Sequence, residues 1–127
     1  KEFIQNFFFE GSMACHFDSF LSQTTSESYL EALEGSEIWI LSYDDFQKIS
    51  TANSELNQHL SFCMAKTNAN RVNLLMVNDS MLRYEKFLKE EPDVVQRVPQ
   101  YMIASYLGMT PETLSRLRKK MTTRKAA

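Results

Sequence analysis

Two cysteines, three glycines and three prolines are all that 127 residues hold of the types that staple, bend or interrupt a chain. Cys15 and Cys63 are too few for a disulfide framework and fit thiols kept reduced. Gly11, Gly35 and Gly108 stand singly, so no glycine-rich loop is present to cradle a phosphate. A Ser-His-Asp constellation and a recognisable paired-carboxylate motif are missing as well, and nothing in the sequence supports an enzyme or a bound cofactor. No apolar run approaches the roughly 18–20 residues that span a bilayer, and the first residues lack the order of a signal peptide. A cytoplasmic protein with no membrane partner is the expectation.

What is present is ordinary globular composition, 43% hydrophobic and 24% charged, at the size of one domain or one small domain with an appended module. The net charge of −2 hides an uneven distribution. Residues 1–96 carry 7 Lys/Arg against 15 Asp/Glu, or −8, whereas residues 97–127 carry 7 against 1, or +6. A basic end on an acidic body suits contact with phosphates.

From Lys1 to about Ser42, short runs of β-formers alternate with turn residues. Residues 3–9, 29–33 and 38–41 read as strands, with turns at Glu10-Gly11-Ser12 and Glu34-Gly35-Ser36. Antiparallel β of the barrel or roll kind is expected. The sequence opens inside a strand, without a start methionine and with too few strands to close such a sheet, so an N-terminal part of the sheet is expected to be missing. Periodicity turns helical near Tyr43, with Asp44 as a candidate N-cap. Over residues 54–78, Leu56, Leu60, Cys63, Leu74 and Val77 recur close to every 3.5 residues, with Thr67 and Asn70 as a polar middle, which predicts a dimerisation helix. A further helix is predicted over 80–89, loosened at Glu90-Glu91-Pro92. Another is predicted over 99–107. After Gly108 a last helix, about 111–122, has Thr110 as N-cap and Pro111 at its first position.

The final pair carries the functional signal. Two helices crossing steeply over a tight turn need a small residue at the approach, Ala104, and one tolerating positive φ in the turn, Gly108. They also need apolar inner faces, supplied by Ile103, Leu107, Met109, Leu114 and Leu117. The outer face of the second helix then shows Glu112, Thr113, Ser115, Arg116 and Lys119, suited to base edges and phosphates.

With these residues in view, the string from Ile103 to Lys120 resembles the cyclic AMP receptor protein/fumarate-nitrate regulator superfamily, short-tailed type. The resemblance implies an α+β architecture. Residues 1–50 would be the second half of a cyclic-nucleotide-binding-like β-roll, 51–78 a dimerisation helix, and 79–127 a helix-turn-helix DNA-binding domain. It also implies a homodimer on an inverted repeat of double-stranded DNA, in contact with RNA polymerase. By the same resemblance Glu112, Ser115 and Arg116 would read bases. Thr110, Thr113, Arg118, Lys119 and Lys120 would hold phosphates. The β-hairpin wing that follows in family members has no counterpart before Ala127.

The effector pocket implied by the roll would involve Gly11, His16, Ser26 and Glu27. Cyclic-AMP-binding members carry Gly-Glu-Leu and Arg-Ser or Arg-Thr where a gap-free reading puts Cys15-His16 and Ser26-Glu27. A carboxylate at Glu27 would repel the cyclic phosphate, so no response to cyclic AMP is expected. Cys15, His16, His59 and Cys63 raise a metal reading, but nothing in the sequence gathers all four, and no metal site is expected. The alternative function is a ligand-sensing or thiol- or metal-sensing protein whose helical tail makes protein contacts only.

Overall fold

The computed structural model describes the backbone of residues 3–126 and, within them, every side chain but those at 64, 67, 68, 125 and 126. Thr67, assigned above to the polar middle of a seam, therefore lies outside the described side chains. The chain divides into two compact units, one of residues 8–68 and one formed by residues 69–126 with residues 3–7.

Helix α1 (Phe17–Ser22), α2 (Tyr43–Ala52) and the first part of α3 (Ser54–Leu75) belong to the first unit. The N-cap of α2 is Ser42 and not Asp44: its hydroxyl accepts from the Asp45 amide at 3.2 Å and donates to the Asp45 carboxylate at 2.8 Å. The Phe20 ring meets Tyr43 and Phe46 edge to face, with centroids 5.5 and 5.3 Å away.

Among the described residues there is no strand, which corrects the expected α+β fold and its cyclic-nucleotide-binding-like β-roll. Residues 29–33 and 38–41 lie outside any helix or strand, and Ile38, Trp39 and Ile40 are 76%, 93% and 89% exposed. Part of the presumed roll, Phe17–Ser22, is helical instead. The physical reason lies in where backbone hydrogen bonds go. A helix satisfies its N–H and C=O groups within its own next turn, whereas a strand needs a neighbour, and period-two patterning signals capacity without supplying the partner.

In the second unit, α4 (Ser80–Glu90), α5 (Pro92–Arg97), α6 (Gln100–Tyr106) and α7 (Pro111–Ala126) pack around one core, α4 on α5, α5 on α6, and α6 on α7. Asp79 caps α4 by accepting from the Leu82 amide at 2.9 Å. The Glu-Glu-Pro stretch does not simply end a helix. Pro92 opens α5 at its first position, where a missing N–H costs nothing. Phe87, Val94, Ile103, Ala104, Leu107 and Leu114 are sealed from solvent and hold the four helices together.

Candidate nucleic-acid interface

The helix pair forms where the spacing predicts it. Helix α6 ends at Tyr106, and Gly108 takes a left-handed φ of 65°. A Cβ on Gly108 would meet only Leu75 Cδ2 at 3.5 Å and Arg83 Nη1 at 3.7 Å, so backbone conformation and not space demands glycine. The Met109 amide donates back to the Ala104 carbonyl at 2.9 Å, and Ala104 is completely buried where a larger side chain would hold the helices apart. Thr110 then caps α7, its hydroxyl accepting from the Thr113 amide at 3.2 Å.

On α7 the residues sort by the helical period. Leu114, Leu117 and Met121 turn towards the body of the unit, and Leu114 is buried. Glu112, Ser115, Arg116 and Lys119 recur at the opposite face and are all exposed. Thr113, Arg118 and Lys120 flank that stripe. Lys119, assigned to phosphate, thus shares the central stripe with the base-reading candidates but stands two turns beyond Glu112. The Glu112 carboxyl is held below the usual carboxylate range, first by its own backbone amide, then by the Thr110 hydroxyl, with the Arg116 charge adding to both. It is an anion at neutral pH, able only to accept.

Two open grooves border α7. One, about 710 Å³, is lined by Gln100, Pro111, Ser115, Arg118, Lys119, Thr122 and Thr123. The other, about 750 Å³, runs between the start of α4 and the far flank of α7, past Lys120 and Arg124. Gln100 and Arg124 were missed by sequence reasoning; Arg124 pairs with Glu85 at 4.0 Å.

A further missed residue is Arg83. Its Nε and Nη2 donate to the Val77 carbonyl at 3.0 and 2.7 Å, and its Nη1 donates to the Leu107 carbonyl at 2.8 Å. One guanidinium thereby ties the chain leaving α3 to the residue before the Gly108 turn. Nothing local to Arg83 announces this, because its acceptor at Leu107 is 24 residues away.

The residues assigned to an effector pocket are not gathered by a sheet. Gly11 sits in an exposed turn with φ 74°, closed by the Ser12 amide donating to the Phe9 carbonyl at 2.9 Å. His16 precedes α1 and shares a 2.8 Å hydrogen bond with Ser19, Ser26 accepts from the Ser28 amide at 3.0 Å, and Glu27 is exposed. With no roll to wall a pocket, that assignment is withdrawn. His59 and Cys63 do meet one helical turn apart, with Sγ and Nε2 separated by 3.6 Å. Among the described residues no third ligand joins them in a metal-holding group.

No family model, curated protein or solved structure matches the chain. The functional reading therefore rests on the chemistry of α6 and α7. Among the described residues no helix is long and apolar enough to cross a membrane.

Proposed function

We propose that the chain is a sequence-specific, cytoplasmic DNA-binding regulator that works as a homodimer, with α7 entering the major groove. One observation carries the reading: a capped helix set across a left-handed glycine turn presents Glu112, Ser115 and Arg116 together on its exposed face, in the basic part of the chain. Arg116 has the fork to donate twice to a guanine, Glu112 accepts from a cytosine amino group, and Ser115 contacts either. Thr110, Thr113, Arg118, Lys119 and Lys120 neutralise or bond phosphates around them. The resemblance of residues 103–120 to known regulators supports this for that stretch alone.

The test is binding to duplex DNA at several salt concentrations. Affinity should fall steeply as salt rises, and Lys120→Ala should lower the salt slope by about one per half-site while weakening all sequences alike. A chain whose tail makes only protein contacts would show no such affinity.

The dimer needs a different seam from the one the sequence suggested. Leu60 and Leu74 are 9% and 2% exposed within a single chain, so neither is free to face a second copy. Among the described residues of this stretch, Phe62, Val72 and Leu75 on α3 and Met76 just past its end leave apolar side chains in water, 64%, 55%, 36% and 72% exposed, and Ala65 and Ala69 are exposed as well. In the sequence Phe62, Ala65, Ala69, Val72 and Met76 follow one another at intervals of 3, 4, 3 and 4 residues, the repeat of a two-stranded coiled coil. A second copy presents the same row. Lys66 and Arg71 are the only Lys, Arg, Asp or Glu between residues 56 and 78, so little charge opposes self-association. Val72→Glu should convert a sedimenting dimer into a monomer with unchanged helix content. Wild-type protein that stays monomeric at micromolar concentration would remove the dimer from the reading.

A further inference from the structure

Residues 3–7 have no helix or ladder of their own, yet they belong to the same compact unit as α4–α7. Side chains from distant parts of the sequence hold them. The Ile4 amide donates to the Ser105 hydroxyl at 3.1 Å across 101 residues of sequence. Arg71, on α3, donates through Nη1 to the Ile4 carbonyl at 2.6 Å and to the Gln5 carbonyl. The same guanidinium lies 5.2 Å from the centre of the Tyr106 ring, and the Phe7 ring packs on Tyr106 with centroids 5.1 Å apart. Tyr106 in turn leans on Phe87 at 5.9 Å, inside the core.

The Ile4 amide, the Phe7 ring and the Arg71 guanidinium thus meet at Ser105 and Tyr106, the last residues of α6 before the turn that aims α7. We propose that residues 3–7 are a strap, with Arg71 as its positioning residue, whose docking on the end of α6 holds the turn and α7 in the DNA-competent pose. The DNA arm of this inference rests on the function proposed above; the docking itself does not. A strap held by side chains has a low barrier to release compared with one zipped into a sheet, because no ladder must be unmade. Its release takes the Phe7 ring from Tyr106 and removes the carbonyl acceptors of the half-buried Arg71 cation, so the docked and released states differ in the order they impose on α6.

The experiment uses the full chain and three variants. Arg71→Leu removes both hydrogen bonds and the ring contact, Arg71→Lys keeps the charge with a single point donor, and Ile4→Pro leaves Arg71 in place but removes the amide that donates to Ser105, together with the half-buried Ile4 side chain. Amide exchange at Ile4, thermal unfolding and DNA affinity are read for each, Ile4→Pro excepted at its own amide. In wild type the Ile4 amide should be protected, and Arg71→Leu should expose it. At a temperature well below unfolding, Arg71→Leu and Ile4→Pro should each weaken DNA binding about five- to ten-fold. The salt slope should stay unchanged, since Arg71 is not placed on a phosphate, and Arg71→Lys should recover part of the loss. An unprotected Ile4 amide in wild type would overturn the strap. A protected Ile4 amide with DNA affinity unaltered in both variants would overturn its coupling to α7. If wild type binds no DNA, the proposed function fails, and the coupling to α7 fails with it, while the exchange data still decide whether the strap is docked. Should Arg71→Leu not fold, Ile4→Pro decides the coupling alone.

Discussion

Replacing Arg116 by Ala should lower affinity for a selected inverted repeat by about 1–3 kcal/mol per half-site and relax the preference at one base position. The side chain is exposed on the central stripe of α7, four residues after Glu112, so its removal takes nothing from the core. What is lost is a planar double donor that matches two acceptors on the major-groove edge of guanine. In a dimer the two half-sites lose it together, which makes this the largest single-residue effect expected on binding. Two-fold symmetry in the proposed dimer would set the halves about one helical turn apart, roughly 34 Å. The measurement compares wild type, Arg116→Ala and Lys120→Ala on the selected site and on scrambled duplex. Arg116→Ala must change the ratio between the two duplexes, while Lys120→Ala must leave that ratio nearly constant. An equal loss on both duplexes from Arg116→Ala would show that this face of α7 does not read bases.

The largest expected effect on stability comes from Phe87→Ala. Phe87 is wholly buried on α4, and its ring lies 6.5 Å from Tyr84 and 5.9 Å from Tyr106. Truncation deletes both aromatic contacts and opens a cavity beneath α6, which typically costs about 3–5 kcal/mol. Against the usual 5–15 kcal/mol of a domain, that is a large share. Urea unfolding should show a lower midpoint with a similar slope, and Phe87→Leu should recover much of the difference. A loss below about 1 kcal/mol would mean that the ring does not anchor the core. DNA affinity should fall only where the unfolded fraction becomes appreciable, which separates this variant from Arg116→Ala.

The two halves of the chain differ sharply in how much their sequence reveals. From Ser80 onward the signals are local: Asp79 and Thr110 cap the helices they precede, Pro111 starts one, and Gly108 takes the left-handed turn. Each depends on chemistry within about four residues, so each can be read directly from neighbours. Pro92 shows the limit of that logic, since a proline read as an ending is equally suited to a beginning. Before Ser42 the reading fails, because the aromatic and branched runs at 3–9 and 38–41 indicate β capacity, and capacity becomes a strand only when another segment offers its backbone.

The amino-acid order alone determined most of α4, α6 and α7, the glycine turn, the outward stripe of Glu112, Ser115 and Arg116, and the basic charge around it. Tertiary structure alone decided that residues 3–7 dock through Arg71 and Ser105, that Arg83 joins Val77 to Leu107, and that Leu60 and Leu74 are spent inside one chain while Val72 and Met76 face water. Helix formation and capping are set by bonds to residues three or four away, which the sequence lists side by side. A side chain's choice among distant carbonyls, rings and apolar faces depends on which segments fold against it, and no local pattern encodes that.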